Sequence, residues 1–487
     1  MRNIALGLDL GTSGVRVVAI DLSGKVVAQA TRSYPLLSPC PGWTEQNPVE
    51  WTSASLLALK EVAQQIEADQ VIGLGLSGQM HGMVALDAEG QVVRPAILWN
   101  DQRTEQAVSQ IESIVPRSTL IQRTGNPAVT GFQLPKIIWL CSEEPEAYAR
   151  TQQVLLPKDY LGYVLTGEWF TEPSDASGTG CLHLETRQWD EEVLQALGVS
   201  VDLFPAVIES TAIGGRLKPE LAEKIGLPAG LPVVAGGGDN AAAAIGLGIS
   251  SANLRQGSIS LGTSGVIFAP LDQPTPDPQG RIHLFCHADG SYHLLGVTLA
   301  AAGSLRWYRD IFAPEANYVE LMALAERSPA GARGVLFIPH LAGERSPYLD
   351  PGARGAWINL ALAHGQSDLI RALLEGVALS LRAVHQVMVP LTAVDTFIAT
   401  GGGTKSELWL QILANALQMK LVIPQAEEGA AYGAALLAIV GAGVASLEDI
   451  LKQVTGDKRV IHPASEPTYE KLFQQFQSLY DLLKAVR

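Results

Sequence analysis

The sequence has few cysteines and no secretory leader that we can identify. Four cysteines in 487 residues (Cys40, Cys141, Cys181 and Cys286) lie far apart and form no C-x-x-C pair. This excludes a disulfide scaffold and indicates reduced thiols in a cytoplasmic protein. The first residues, MRNIALGLDLGTSG, lack the apolar core and cleavage site of a signal peptide, so we expect no such leader.

Basic residues are also scarce. The chain has 34 Lys and Arg against 49 Asp and Glu, a net charge of −15. This balance argues against nucleic acid or an anionic membrane as a partner. The chain also contains no G-x-x-x-x-G-K-[ST] loop. A phosphate ligand would therefore be held by a metal ion, by backbone N–H groups or by a few placed cations.

One uncharged stretch, GAAYGAALLAIVGAGVASL at 429–447, imitates a membrane span. Acids flank it (Glu428 and Glu448), and glycines interrupt it at Gly441 and Gly443. A span needs about 20 mainly apolar residues without such breaks. The pattern therefore predicts a helix of modest length that packs tightly inside a domain and stops at glycine.

The length predicts two α/β domains, which we place at 1–245 and 246–487. The first half begins with hairpin strands (IALGLDLG and GVRVVAIDL), a helix from Pro48 and a buried strand, VIGLGLSG. The next segment, GMVALDAEGQVVRPAILW, predicts a short strand pair. The second half repeats strand, turn and strand in SISLGTSGVIFAP, followed by helices near Ala301–Ile311, Asp368–Val389 and Ser406–Leu417. The halves therefore resemble two copies of one unit.

The turn Gly-Thr-Ser-Gly occurs twice, at Gly11–Gly14 and Gly262–Gly265. Such a turn presents backbone N–H groups and admits a bulky anion closely. A single copy is more typical of an ordinary hairpin, but two copies at matching places favour a two-sided phosphate clamp. Only the first copy has an acid, Asp9, where the second has Ser260. We expect Asp9 to hold Mg²⁺ directly or through water.

Two glycine triplets precede predicted helices. Gly236–Gly238 leads into Asp239, near the joint between the halves, and Gly401–Gly403 leads into the helix at Ser406. Asp239 has two interpretations: an ordinary helix cap, or a general base that faces the cleft between the domains. Each triplet is suited either to a nucleotide or simply to a tight connection.

Polar residues follow two strands of the first half: Gln79-Met80-His81-Gly82 and Trp99-Asn100-Asp101. Ligands of α/β proteins bind at the carboxyl ends of strands. A lone histidine is more often structural, but His81 beside Gln79 is a candidate for binding hydroxyl groups. The G-x-G-x-x-G pattern at 73–78 lacks the helix that a dinucleotide fold requires. His283, Cys286, His287 and His293 have spacing that favours strand residues over a zinc site.

Eleven motifs together resemble the FGGY carbohydrate kinases, in that family's order and over nearly the whole chain. They include LDLGTSG (8–14), SGQMHG (77–82), ILWND (97–101), GGGDNAAAAIG (236–246), SLGTSG (260–265), PHLAGERSPY (339–348) and ATGGGTKSELW (399–409). The resemblance implies a two-domain, actin-like (ribonuclease H-like) α/β fold whose active site lies in the interdomain cleft. It also implies ATP and Mg²⁺ as cofactors.

The resemblance assigns a role to each matching residue. Asp239 is the expected catalytic base, and Asp9 and Asp239 are the expected Mg²⁺-site acids. The expected sugar-binding residues are Gln79, Met80, His81, Trp99, Asp101 and Asn240. The expected nucleotide-binding residues are Gly11, Thr12, Ser13, Gly262, Thr263, Gly401, Gly402, Gly403 and Ser406. One departure is Phe132-Gln133-Leu134, where relatives often have Phe-Thr-Ala.

The Q-M-H-G and W-N-D motifs are most similar to members of the family that phosphorylate a ketopentose, D-xylulose, at its terminal primary hydroxyl. Alternatives are a kinase for another ketose or a polyol, a non-catalytic sugar sensor, and an interaction ATPase of the Hsp70 or actin kind. A homodimer is an expectation from the family alone. The apolar stripe of the C-terminal helix, from Tyr469 to Leu483, favours packing within the chain.

Overall fold

The computed structural model describes residues 4–424, 429–453 and 458–486. Each half of the chain contributes one large mixed sheet. The strands of the first sheet are β1 (Ile4–Leu10), β2 (Gly14–Asp21), β3 (Val26–Ser33), β4 (Val71–Gly78), β5 (Ile213–Arg216) and β6 (Pro232–Gly238). The strands of the second are β7 (Gln256–Leu261), β8 (Gly265–Leu271), β9 (His283–Cys286), β10 (Tyr292–Thr298), β11 (Thr396–Thr400), β12 (Lys420–Pro424) and β13 (Lys458–Ile461).

The two sheets have the same topology. In the first, β1, β2 and β3 are antiparallel neighbours, β4 runs parallel to β1, β6 runs parallel to β4, and β5 is an antiparallel edge strand. In the second, β7, β8 and β10 are antiparallel neighbours, β11 and β12 continue in parallel, and β13 is the antiparallel edge; β9 pairs with β10 as an extra strand. The expected relation between the halves is confirmed at the level of topology.

Seventeen helices in the described residues surround the sheets. Those of the first half are α1 (Pro48–Ala63), α2 (Glu105–Ile114), α3 (Arg117–Thr124), α4 (Gln133–Glu143), α5 (Pro145–Arg150), α6 (Pro157–Thr166), α7 (Pro173–Ala176), α8 (Glu191–Ala196), α9 (Pro219–Ile225) and α10 (Asp239–Gly246). Those of the second are α11 (Ala302–Phe312), α12 (Tyr318–Glu326), α13 (Gln366–Met388), α14 (Glu407–Leu417), α15 (Gly429–Gly441), α16 (Leu447–Gln453) and α17 (Pro467–Lys484). The helices expected near 301–311, 368–389 and 406–417 are α11, α13 and α14.

Helix α15 lies in the second half of the sequence but packs on the first sheet, mainly against β1 and β4. The approach is so close that a Cβ at Gly7 would lie 1.8 Å from the carbonyl oxygen of Ala431, and one at Gly75 would lie 1.9 Å from that of Ala434. The glycines of these strands therefore serve helix–sheet packing. No helix within the described residues is long and apolar enough to span a bilayer.

The strand pair expected within 82–99 is present only as isolated antiparallel bridges, between Met83 and Ile97 and between Leu86 and Val92, while the longer pairings of both strands are made elsewhere. Val84–Leu86 pairs with Gln153–Leu155, and Ala96–Ile97 pairs with Glu45–Gln46. Local alternation does not reveal partners that lie 50 residues away. The remaining short strands are Phe170–Thr171, Leu182–His183, Gln188–Trp189, Ala206–Val207, Leu336–Ile338 and Ala356–Ile358. The apolar face of α17 packs within the chain, as expected, with Tyr469, Leu472 and Phe476 buried in the core of the second half.

Candidate active site

Two acids meet at the carboxyl ends of the central parallel strands. Asp9 on β1 pairs in register with Ser77 on β4, and Ser77 pairs with Gly237 on β6. Asp239 follows two residues after Gly237, as the first residue of α10. The charge of Asp239 raises the pKa of Asp9, which places the two carboxylates within electrostatic reach of each other.

Asp239 does not cap its helix. Gly238 occupies the cap position, and no side chain makes a capping hydrogen bond there. Instead, Oδ1 of Asp239 accepts hydrogen bonds from the backbone N–H (2.7 Å) and the side-chain Nδ2 (2.8 Å) of Asn240. Oδ2 accepts none from the described part of the chain. Burial raises the pKa of Asp239 to about 6, while the bonds from Asn240 oppose this rise. The carboxylate is thus oriented, with one oxygen available.

Asp9 has the properties of a cation ligand. Its Oδ1 is buried and accepts no hydrogen bond from the described residues. Burial, and secondly the charge of Asp239, raise the pKa of Asp9 to about 7. A divalent cation held by these two carboxylates would offset both the desolvation of Asp9 and its repulsion by Asp239. Carboxylate oxygens are preferred Mg²⁺ ligands. Residues 4–424, 429–453 and 458–486 form no cluster of three or more acidic, His or Cys ligands. Further ligands would therefore be water or substrate oxygens.

The first Gly-Thr-Ser-Gly turn is tied to the expected sugar-binding residues. Thr12 Oγ1 donates to Gln79 Oε1 (3.1 Å) and accepts from Trp99 Nε1 (3.0 Å). Gln46, which the sequence did not indicate, donates from Nε2 to the carbonyl oxygen of Thr12 (2.7 Å) and accepts at Oε1 from Gln79 Nε2 (3.1 Å). The side chain of Thr12 therefore faces this network. The backbone N–H groups of Thr12 and Ser13 find no acceptor among the described residues, so they are available to an anion.

His81 is buried and uncharged. Its φ of 68° is left-handed, its ring stacks on Phe132 with centroids 4.6 Å apart, and its Nδ1 lies 2.6 Å from the carbonyl oxygen of Gly178. Since a carbonyl only accepts, Nδ1 donates and Nε2 is left as an acceptor. Burial lowers the pKa of His81 to about 3. Met80 precedes it: a Cβ at Gly238 would be 3.0 Å from Met80 Cγ, which places this side chain beside Gly238, the residue before Asp239.

Asp101 has its carboxylate already engaged. Its Oδ1 accepts from Nε of Arg103 (2.9 Å), and its Oδ2 accepts from Nη2 of Arg103 (2.7 Å) and the backbone N–H of Thr44 (2.6 Å). The side chain is fully buried. Asp101 therefore braces the loop after Trp99. Its expected contact with a sugar is not evident in these bonds and stays a prediction.

The second turn and the second glycine triplet lie together. The carbonyl oxygens of Gly262 and Thr263 accept N–H groups at the start of α11 (2.8 and 2.9 Å). Gly401 has a φ of 89°, and a Cβ at Gly403 would lie 2.8 Å from Leu261 Cβ, next to the turn. A cavity of about 750 Å³ opens there, lined among others by Gly262, Thr263, Gly402, Gly403 and Ser406.

The opposite wall of this cavity comes from helices that the sequence did not mark. Gly303 and Arg306 on α11 contribute to it, as do Tyr318, Met322 and Glu326 on α12. No motif indicates these residues, because only the packing of α11 and α12 beside the turn brings them there. An aromatic ring and a thioether on one side, with glycine backbone on the other, suit a flat apolar group attached to a polar one.

Comparisons with known proteins identify the family and the overall fold. The FGGY family of carbohydrate kinases matches with its N-terminal domain over residues 4–246 and with its C-terminal domain over residues 257–442. The xylulose kinase of Escherichia coli (strain K12) is 41% identical over 486 residues, covering 98% of this chain and 99% of the relative. The gluconokinase of Bacillus subtilis (strain 168) is 29% identical, covering 99% and 97%. The crystal structure of ligand-bound xylulose kinase from Lactobacillus acidophilus matches with a TM-score of 0.94 at 27% identity, covering 99% and 98%. This chain belongs to the FGGY family of carbohydrate kinases and is a sugar kinase with the family's two-domain α/β fold.

Proposed function

We propose that this kinase transfers the γ-phosphoryl group of ATP to the terminal primary hydroxyl of D-xylulose, giving D-xylulose 5-phosphate. The observation that carries the proposal is the Oδ2 of Asp239, which accepts no hydrogen bond from the described residues. Asp239 lies within electrostatic reach of Asp9 and directly follows Gly238, which is beside Met80. The full-length similarity to xylulose kinases supports this sugar as the substrate.

Phosphoryl transfer requires an aligned hydroxyl, neutralised phosphate charge and an acceptor for the hydroxyl proton. Asp239, with a pKa of about 6, is ionised at neutral pH and would accept this proton at Oδ2. Its bonds from Asn240 fix the direction of that oxygen. His81 would accept a sugar hydroxyl at Nε2, while Gln79 and Trp99 would border the sugar through their shared network with Thr12.

The phosphates would be bound by groups that carry no positive charge. The backbone N–H groups of the two turns, at Thr12 and Ser13 and at Gly262 and Thr263, would donate to phosphate oxygens. The adenosine would occupy the cavity between the Gly401–Gly403 triplet and α12. Asp9 and Asp239 would hold Mg²⁺, which when bound would offset the charge of the phosphates.

We keep the division into domains 1–245 and 246–487 as part of this proposal, with the sugar on the first and the adenosine on the second. Helix α15 belongs to the second range but packs on the first sheet, and the chain also passes from the first range to the second near α10. The two domains are therefore connected at two places. Closure around the sugar would exclude water as a competing acceptor. A cytoplasmic location and a homodimer remain expectations.

The test is Asp239→Asn, assayed by coupled detection of ADP with D-xylulose, ribulose, fructose, a polyol and gluconate. We expect kcat to fall about 10²–10⁴-fold because the base is lost, while ATP still protects the protein against thermal unfolding. Asp272→Asn, an exposed aspartate in the second half, is the matched control.

Two outcomes would contradict separate parts of the proposal. Near wild-type kcat in Asp239→Asn would show that Asp239 is not the base. A higher kcat/KM for ribulose or gluconate than for D-xylulose would leave the base assignment intact and refute the substrate. Gluconate is included because a gluconokinase is among the full-length relatives.

A further inference from the structure

Arg345 is a cation that has no ion-pair partner among the described residues. It lies in the connection between the short strands Leu336–Ile338 and Ala356–Ile358. Among the described residues, no carboxylate lies within ion-pair distance of its guanidinium, and no acceptor takes a hydrogen bond from it. Burial lowers its pKa from the ordinary value, although it stays charged at neutral pH. The side chain is half-buried, so its charge is partly desolvated, which is costly for a cation that has no pair.

Hydrogen bonds from the backbone on both sides of Arg345 hold it in place. The neighbouring Glu344 is fully enclosed, and its Oε1 accepts the N–H groups of Leu299 (2.9 Å) and of Arg345 itself (2.9 Å). Its Oε2 accepts from Nδ1 of His340 (2.9 Å). The next N–H, from Ser346, donates to the carbonyl oxygen of Val297 on β10 (2.8 Å). The second half thus holds the backbone of this arginine in one place, although its guanidinium donates no hydrogen bond to any residue in the described ranges.

The guanidinium reaches toward the sugar cluster of the first half. A Cβ at Gly131 would lie 3.2 Å from Nη2 of Arg345. The carbonyl oxygen of Gly131 accepts a hydrogen bond from Nζ of Lys136 (2.7 Å), which also donates to the carbonyl oxygen of His81 (2.7 Å). The charge of Arg345 adds to burial in lowering the pKa of His81. Arg345 therefore approaches the backbone that positions His81.

The pKa values of Asp239 and Asp9 are explained by other groups. The pKa of Asp239 depends on burial and on Asn240, and that of Asp9 on burial, Asp239, Ser77 and Arg16. The other groups that respond to Arg345 are Lys136 and His283, neither of which is an anion. An oxygen-rich ligand on the His81 side of the site would supply the acceptors that the protein lacks.

We propose that Arg345 is a sugar-binding residue, supplied by the second half of the chain, that donates hydrogen bonds to sugar oxygens remote from the reacting hydroxyl. The inference rests on the proposed function, since it assumes a ketose in this site. The planar guanidinium presents paired donors, which suit two adjacent oxygens such as the C1 hydroxyl and the C2 carbonyl of a ketose. A sugar bound in this way contacts both halves, which couples its binding to closure of the cleft.

The test compares Arg345→Gln and Arg345→Lys with wild type, using the sugar that the wild type phosphorylates best. We expect KM for the sugar to rise about 10–100-fold in Arg345→Gln, the effect of losing charge-assisted hydrogen bonds. Arg345→Lys should recover part of this loss, because it keeps the charge but not the paired donors. KM for ATP and the ATPase rate without sugar should stay within twofold of wild type.

Arg354→Gln is the matched control in the same connection, because this arginine is exposed and, within the part of the chain that the structure describes, donates only to the carbonyl oxygens of Pro351 and Ala353. Direct calorimetric titration with the sugar, in the absence of nucleotide, should show the same loss of affinity in Arg345→Gln. An unchanged sugar affinity overturns the inference. An equal rise in KM for ATP, or a loss confined to thermal stability, also overturns it. A wild type that prefers another sugar refutes the proposed substrate, yet the Arg345 comparison is still made with that sugar.

Discussion

Replacing Asp9 with asparagine should stabilise the protein while disabling the kinase. Burial and the nearby Asp239 raise the pKa of Asp9 from 3.8 to about 7. The folded state therefore binds the proton more tightly than the unfolded chain does, and the stability that this provides is lost as pH rises. The free-energy cost of ionising Asp9 in the folded protein begins near pH 4 and reaches its full size above about pH 7. Asparagine carries no charge and avoids it.

The size of the effect follows from the difference in pKa. About three pH units at about 1.4 kcal/mol each would give a ceiling of about 4 kcal/mol. Asp9 is partly exposed, so solvent screens its charge, and we expect a gain of about 1–2 kcal/mol at pH 8. The gain should vanish by pH 4. Activity should nevertheless fall, because the proposed cation site has lost a carboxylate.

The assay is thermal or urea unfolding in EDTA, at pH 4 and pH 8, with Asp69→Asn as an exposed control that makes no ion pair in the described structure. Added Mg²⁺ with a nucleotide should stabilise the wild type more than Asp9→Asn, a result that is independent of turnover. A gain of the same size at both pH values, or no gain at pH 8, would refute the electrostatic reasoning.

Two further predictions concern Asp239 and the buried cluster behind it. The value of kcat/KM should fall as pH drops through about 6, since Asp239 must be ionised to accept a proton, and a rate that is flat from pH 5 to 8 would argue against this base. Lys158→Met should destabilise the protein by about 3–5 kcal/mol in urea unfolding, because Lys158 Nζ lies 2.5, 3.5 and 3.6 Å from the enclosed carboxylates of Asp159, Glu172 and Asp175. A loss below about 1 kcal/mol would show that this lysine does not hold the acids.

Local patterns predicted the strands and helices well, and long-range packing poorly. The hairpins around Gly11–Gly14 and Gly262–Gly265 follow from alternation interrupted by turn residues, and the structure contains both. The sequence also predicted a helix from Gly429, but not that it packs on the first sheet. A contact between Gly7 and Ala431 joins residues more than 400 positions apart, so no local period encodes it. In the sequence, the feature related to this packing is the set of glycines in β1 and β4, which leave room for the helix.

The candidate site likewise combines residues that local motifs predicted with residues that only long-range contacts reveal. Asp239, Gln79 and His81 were predicted because each follows a strand in a recognisable motif, and the structure gathers them at the sheet edge. Gln46, on a two-residue strand, and Arg345, inside a quoted motif, were not singled out, because the contacts that matter for each are with residues distant in sequence. The roles assigned to all of them remain predictions.

The two Gly-Thr-Ser-Gly turns show why one acid suffices. Each turn joins the first two strands of its sheet, so Asp9 and Ser260 occupy equivalent positions. Asp9 pairs with Ser77 and has Asp239 within electrostatic reach, the arrangement that we propose for a cation. Ser260 pairs with Thr400, directly before the second glycine triplet, at the cavity proposed for the nucleotide. A second carboxylate there would repel the phosphates without a partner acid to share a metal ion. In a chain of net charge −15, a neutral second turn would therefore let a polyanion approach, while the paired acids of the first half would hold the proposed cation and accept the proton.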